Sequence, residues 1–437
     1  MRNYESWGRY PKATHDVLRM DWRDMALPPD SGKSMLPFGN GRSYGDCCLN
    51  DQGTLVATRG LDRFMTFDAG TGILRCEAGV LLSEVLELVV PRGWFPPVTP
   101  GTQFVTIGGA VANDVHGKNH HRAGTFGRHV NRFELLRSDG TRLQCSSTEN
   151  SDWFCATVGG LGLTGLITWV ELQLKAISGP LIDQQSIRYG RLEEFFQLSL
   201  ESDATYEYTV AWIDCAATGA SLGRGFFIRG NDATGAQDRP AKTGGTGLSI
   251  PFDLPFALIN GPSLRLFNAL YYRKQLQERV RSTVHYAPFF YPLDAIGAWN
   301  RIYGSNGLLQ YQCVIPHRHA EAAVREILGQ IASAGTGSFL AVLKVFGDLP
   351  SPGLLSFPRP GATLALDFPN QGQRTFDLLD RLDAITMAAE GALYPAKDAR
   401  MSGDTFRRSF PNWQQLDPFI DPRFSSSFWR RVTGEPR

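Results

Sequence analysis

From Ser34 to about Ser178 the chain alternates short apolar and polar runs with turn signals and brief helical stretches. Phe64–Phe67 and Leu74–Glu77 flank Asp68-Ala-Gly-Thr-Gly72, and two strand-like runs joined by a polar, glycine-containing link predict a β-hairpin. Phe133–Arg137 and Thr141–Cys145 around Asp139-Gly140 predict a second one. Between the two, Leu81–Val90 repeats apolar residues at helical spacing and stops at Pro91 and Gly93. Leu163–Leu174 alternates over enough positions to predict a long strand. The texture is α+β, without the regular strand–helix–strand units of a doubly wound sheet.

Gly179-Pro180 interrupts this pattern, and the residues that follow contain fewer glycines and longer strand-like runs: Tyr206–Ile213, Leu308–Ile315, Phe339–Phe346 and Thr363–Phe368. His319–Ile331 and Phe376–Ala389 place apolar residues every three or four positions, as amphipathic helices do. Strands punctuated by helices predict a second domain, an antiparallel sheet with helices on one face. Ala236–Gly247, rich in Gly, Thr and Lys, reads as a mobile loop. Leu248–Tyr272 is apolar and carries Phe252, Phe256, Phe267 and Tyr271 ahead of Arg273 and Lys274. That stretch fits either buried core or a surface that meets lipid, in which case it is expected to be partly exposed or poorly ordered.

A chain of 437 residues needs about two or three domains. With 42% hydrophobic and 20% charged residues it is globular, not disordered. Lys+Arg number 44 against 43 Asp+Glu, so no global field recruits nucleic acid, and any basic site is local. The seven cysteines are odd in number and form no CxxC pair, which argues against a disulfide framework or structural zinc and for a reducing compartment. The first sixteen residues are polar and no 18-residue apolar run occurs, so neither a signal peptide nor a membrane-spanning helix is expected. A cytoplasmic protein, with room for membrane association, is the expectation.

The 46 glycines exceed the usual ~7% and crowd between Gly39 and Gly165. Pro37-Phe-Gly-Asn-Gly-Arg-Ser-Tyr-Gly-Asp46 lets backbone N–H groups turn toward an anion. Its third glycine falls one residue late for the dinucleotide fingerprint, and Gly32-Lys33-Ser34 lacks the first glycine of a P-loop. Gly108-Gly109, before a short helix, again suits a diphosphate. Four of the eight histidines (116, 120, 121 and 129) lie within fourteen positions, yet no acidic partner stands at metal-ligand spacing, so no metal is expected. His116 and Lys118 could serve a redox cofactor, while His120, His121 and His129 read as polar loop residues. A third glycine-rich run, Ala156-Thr-Val-Gly-Gly-Leu-Gly-Leu-Thr-Gly-Leu-Ile167, completes a set that suits an extended ligand such as a flavin dinucleotide.

In their order, GNGRSYGD, the run from Pro100 to Val130 and ATVGGLGLTG resemble the vanillyl-alcohol-oxidase superfamily of FAD enzymes. Within it the likeness is to oxidases of polyprenyl-phosphoryl pentofuranoses, and it continues through Ala211-Trp-Ile-Asp214, Leu309-Gln-Tyr-Gln312, Leu343-Lys-Val-Phe-Gly347, Leu366-Asp-Phe-Pro369 and Tyr394-Pro-Ala-Lys-Asp-Ala-Arg400. The resemblance implies an α+β fold of two domains. Residues 1–179 and 392–437 would form the FAD domain, and 180–391 an inserted antiparallel-sheet substrate domain. FAD would be held by Pro37, Phe38, Gly39, Asn40, Gly41, Arg42, Ser43, Tyr44, Gly45, Asp46 and Cys47, by Gly101, Thr106, Ile107, Gly108 and Gly109, by Asn113, Asp114, Val115 and His116, and by Ile167 and Tyr394. Lys397 and His116 would be catalytic. Lys118, Trp212, Tyr291, Gln310, Gln312, Lys344 and Ala365 would line the substrate side.

The implied reaction is FAD-dependent oxidation of the 2-hydroxyl of a lipid-linked ribose phosphate to the 2-keto sugar, the first half of an epimerisation. A soluble sugar, alditol or aldonolactone is the alternative substrate. The FAD would be non-covalent, because Arg42 stands where covalent relatives place the flavin-linking histidine. A separate NAD(P)H-dependent short-chain reductase would finish the epimerisation, and a polyprenyl substrate implies peripheral membrane contact. The pocket departs from the family's mycobacterial members: Ala365 replaces a cysteine, Thr363 an asparagine and Val210 a serine.

Overall fold

The computed structural model describes residues 4–235, 249–250 and 261–434. The loop expected at Ala236–Gly247, together with Phe252 and Phe256, lies outside the described residues.

A first sheet consists of β1 (Phe64–Asp68), β2 (Ile73–Glu77), β3 (Val130–Leu136), β4 (Arg142–Ser146) and β5 (Leu166–Gln173), antiparallel throughout in the order β1-β2-β5-β3-β4. Both expected hairpins are present. Asp68 turns the first by accepting from the Gly70 N–H, and Gly140 takes a left-handed φ of 87° in the second. The strand expected from Leu163 starts later, at Leu166, because Gly162 and Gly165 hold positive φ values of 78° and 141°. Helix α1 (Leu82–Val89) buries Leu82, Val85, Leu86 and Val89 against this sheet's core. Asp16–Arg19, Thr54–Ala57 and Met35–Phe38 form a parallel sheet, with Thr54–Ala57 in the centre, that the sequence pattern did not reveal.

The second sheet has eight strands, β6 (Leu181–Tyr189), β7 (Tyr208–Ile213), β8 (Gly225–Asp232), β9 (Arg279–His285), β10 (Leu308–Ile315), β11 (Val342–Phe346), β12 (Gly361–Pro369) and β13 (Ala392–Leu393). Their order is β9-β6-β8-β7-β11-β12-β10-β13, every pairing antiparallel. β10 matches its expected span; β11 begins at Val342 instead of Phe339, where the Ser338 hydroxyl accepts from the Leu340 N–H and takes the chain out of the ladder.

Alternation divides this sheet's faces. Tyr311, Cys313, Leu343, Leu364 and Leu366 join one apolar core with Leu192 and Phe195 of α2 (Leu192–Ser202), Val324 and Ile327 of a helix at 317–334, and Leu378 and Leu382 of another at 373–388. The same core includes Cys47 and Leu163 from the N-terminal part, and Phe406, Phe428 and Trp429 from the tail. The opposite face turns toward the glycine-rich loops. Among the described residues no helix is long and apolar enough to cross a membrane.

Candidate functional site

A cavity of about 590 Å³ lies between the glycine-rich loops and that second face. Its wall includes Pro37, Gly39, Asn40, Gly41, Arg42, Ser43, Tyr44 and Cys47, then Gly101, Thr106, Gly108, Gly109, Asn113, Val115 and His116, with Ile167 and Tyr394. Trp212, Gln310, Gln312, Lys344 and Ala365 complete it from the sheet face, with Lys118 and Lys397 from flanking segments. Pro37 and Lys397, 360 positions apart in sequence, thus line one cavity.

Others stand behind the wall. Phe38 is 5% exposed and packs with Leu36 and Leu55, and Ile107 lies in the first sheet's core. Asp114 accepts from the Gly127 N–H at 2.8 Å and the Ser356 hydroxyl at 2.6 Å, and burial raises its carboxyl to about 6. Asp46 is clamped by Arg431, whose Nε and Nη2 donate to its two carboxylate oxygens at 2.9 and 2.7 Å. Gly45 sits so close to the Asp398 carbonyl that a Cβ would lie 1.6 Å from it, so only glycine lets this loop pass. Tyr291 is buried, its hydroxyl engaged by Thr99. These residues shape the site without forming its wall. The clamp matters because Tyr44 N–H donates to the Ala396 carbonyl at 2.9 Å, fixing the first loop against the segment that presents Lys397.

The cavity's ionisable groups are unusual for a chain of net charge +1. Lys397 lies 4.0 Å from the centre of the Tyr44 ring, and burial, opposed by Asp367 and Cys47, brings its amine down to about 8. Burial, then the neighbouring Lys397, lowers Lys344 to about 8; burial, then Lys344, lowers Lys118 to about 7. Lys118 donates to the Phe289 carbonyl and Lys344 reaches the Gly117 carbonyl at 3.5 Å. Burial, reinforced by Lys344, His120 and Lys397, holds His116 well below its ordinary value, so its ring is neutral.

The two glutamines share a strand face, as expected, yet each amide nitrogen is already engaged. Gln312 Nε2 lies 3.0 Å from His116 Nε2 and donates to Thr363 Oγ1 at 3.2 Å, and Gln310 Nε2 donates to Asp367 Oδ1 at 2.6 Å. The other histidines are not loose loop residues. His120 is 1% exposed with its ring 4.4 Å from Phe346, while His121 and His129 reach the carbonyls of Tyr206 and Ala123. Among the described residues no group of three or more His, Cys, Asp or Glu side chains could hold a metal ion.

Sequence reasoning missed Trp7, which lines the cavity and lies 4.1 Å beneath the Arg42 guanidinium, and Asp367, an acid inside the apolar run Leu364-Ala-Leu-Asp-Phe368. An acid in a strand otherwise fit for burial was the available signal for Asp367.

The residues present fit FAD. Arg42 Nε, Asn113 Oδ1 and His116 Nδ1 are buried, lack hydrogen-bond partners and belong to wall residues, a donor-and-acceptor set suited to a ligand with anionic and amide-like groups. Gly101 borders the cavity with nothing within 4 Å of where a Cβ would stand.

Residues 25–146 match the family model described as FAD binding domain. The chain is 36% identical to the decaprenylphosphoryl-β-D-ribose oxidase of Mycolicibacterium smegmatis, over 98% of this chain and 96% of that protein. It is 33% identical to an uncharacterized protein of Streptomyces coelicolor, over 81% of this chain and all of the relative. Human Delta(24)-sterol reductase is 30% identical over 24% of this chain and 21% of its own length.

Proposed function

The chain belongs to the family of FAD-dependent oxidoreductases that includes the Mycolicibacterium smegmatis decaprenylphosphoryl-β-D-ribose oxidase, and from that premise we propose that it oxidises the 2-hydroxyl of a polyprenyl-phosphoryl ribofuranose to the 2-keto sugar. The observation that carries this reading is the meeting of three half-buried lysines and a buried, neutral histidine in one cavity with the glycine-rich loops. Cations crowded together and partly withdrawn from water favour an anion between them, and a phosphodiester is such an anion.

The first loop, Gly101, Thr106, Gly108, Gly109, Asn113, Val115, Ile167 and Tyr394 would hold the flavin, which when bound supplies the acceptor for the hydride leaving the carbinol carbon. Lys397 accepts the hydroxyl proton; an amine near 8 is partly neutral at physiological pH, as a base must be. His116, its Nε2 occupied by Gln312, offers Nδ1–H to the reacting oxygen. Lys118 and Lys344 meet the phosphate. Arg42 leaves the flavin non-covalent, so acid precipitation should release the yellow colour from the protein.

The polyprenyl tail would leave past Trp212 and Tyr271, whose rings lie 4.6 Å apart, toward α3 (Gly261–Arg273). This helix exposes Leu266, Phe267 and Leu270 beside Arg273 and Lys274, a composition that suits peripheral contact with a bilayer. Since the chain carries no nicotinamide fingerprint, the keto sugar would pass to a separate NAD(P)H-dependent reductase. The test is product analysis: borodeuteride trapping after turnover should put deuterium at C2 of the lipid-linked sugar. Turnover of free pentoses or alditols with none of the lipid phosphate would replace this reading by the soluble-sugar one.

A further inference from the structure

Gln310 and Asp367 are partners in the β10–β12 register, and the glutamine Nε2 donates to Asp367 Oδ1 at 2.6 Å. Asp367 is 1% exposed and lines the cavity. A carboxylate removed from water needs a cation or several donors, and one neutral amide is a thin supply. The titratable groups facing it are Tyr44 from the first glycine loop, Tyr303, and Lys397 from the segment after β13. Of these, Lys397 is the cation.

The view from Lys397 is complementary. It is faced by the Tyr44 ring, Cys47, Asp367, His116 and Lys344. Burial pushes the Cys47 thiol up to about 12 and also raises the Tyr44 phenol, so both are neutral, as is His116. Asp367 is therefore the negative charge opposite Lys397 among these neighbours.

We propose that Asp367 is the positioning residue for Lys397: held by Gln310, its carboxylate draws the lysine head group over Tyr44 and stabilises the proton that the lysine takes from the sugar hydroxyl. This rests on Lys397 being the proton acceptor. In that step the hydroxyl O–H bond breaks and an N–H bond forms on Nζ, while the electron pair left on oxygen becomes the new C=O bond and the hydride leaving carbon goes to the acceptor that bound flavin would supply. The resulting ammonium shares the cavity with a carboxylate. Without such a partner the transfer adds a positive charge beside Lys344 with no nearby anion to offset it.

The sign of the pH effect follows. Lys397 titrates near 8 with Asp367 as the first group opposing burial, so removing the carboxylate lets the amine lose its proton at lower pH. The experiment is anaerobic flavin reduction by substrate, followed against pH in FAD-loaded protein. The wild type should gain rate as pH rises through about 8. In Asp367→Asn that limb should move acidward by about one pH unit, with Asp367→Glu returning part of the way. Gln310→Met, which removes the donor but leaves the charge, should move it in the same direction by less. An unmoved limb in Asp367→Asn with normal FAD content overturns the proposal. Should Asp367→Asn fail to load FAD, an unmoved limb in Gln310→Met overturns it. If Lys397→Ala still reduces flavin at a near-normal rate, the underlying reading of Lys397 fails instead.

Discussion

Along β12, Leu364 and Leu366 point into the helical layer while Thr363, Ala365 and Asp367 point into the cavity; along β10 the same division separates Tyr311 and Cys313 from Gln310 and Gln312. Both faces are buried, and one residue of register decides which task a side chain has. On the helical face, apolar residues meet apolar residues and burial alone accounts for the choice. On the cavity face, burial works against the residues present: Asp367, Thr363 and Gln312 are 1%, 1% and 6% exposed, and Lys344 stands beside them. Polar groups withdrawn from water at such positions cost stability, so the contrast sets the cavity face apart from the packing face.

The largest effect expected from breaking this contrast comes from the lysine that overhangs the polar face. Lys397→Ala should keep FAD and lower the rate of flavin reduction by about 10² to 10⁴, the usual worth of a positioned proton acceptor. Retention of more than about a tenth of the rate would remove Lys397 from that role.

Adjacent residues of one strand sharpen the comparison. Leu364→Ala, on the helical face, should cost about 2–5 kcal/mol of stability, read by denaturant unfolding. Thr363→Val, one position away, loses only the hydroxyl that accepts from Gln312 and should cost about 1 kcal/mol. Equal losses at the two sites would contradict the division of faces.

Lys344→Met keeps much of the side chain's apolar length but not its charge. It should raise the KM for the lipid phosphate by about 10- to 100-fold, the range for a hydrogen bond to a charged group, with little change in FAD content. An unchanged KM would take the phosphate away from Lys344.

The smallest effect is expected farthest from the sheet. Phe267→Ser with Leu270→Ser, on the exposed side of α3, should lower binding to anionic vesicles by about three- to tenfold and leave FAD content intact. No vesicle binding by the wild type, or none lost in the double variant, would remove the membrane contact.

Legibility followed the strength of the alternation. β10 was readable because Leu308–Ile315 carries six apolar residues in eight between Gly307 and Pro316, and the hairpins because Asp68, Gly72, Asp139 and Gly140 mark their turns. β9, Arg279–His285, was not: as an edge strand it is mostly solvent-facing and carries little apolar contrast. The parallel sheet escaped because four-residue strands such as Met35–Phe38 and Thr54–Ala57 pair across an intervening glycine loop, which no local period reports. At the site, the glycine runs and Lys397 could be read from motifs. The engagement of Gln310 with Asp367, and of Gln312 with His116, depends on cross-strand register and on a loop arriving from a distant part of the chain. A strand face places residues together; it does not say which neighbour each one binds.

The most direct measurement of the account is anaerobic mixing of the FAD-loaded protein with polyprenyl-phosphoryl ribose while the flavin absorbance is followed. Rapid bleaching by the lipid phosphate, with free ribose reacting far more slowly at equal concentration, is the predicted result. Bleaching by free ribose as fast as by the lipid phosphate, or a flavin that the lipid phosphate leaves oxidised, would contradict it.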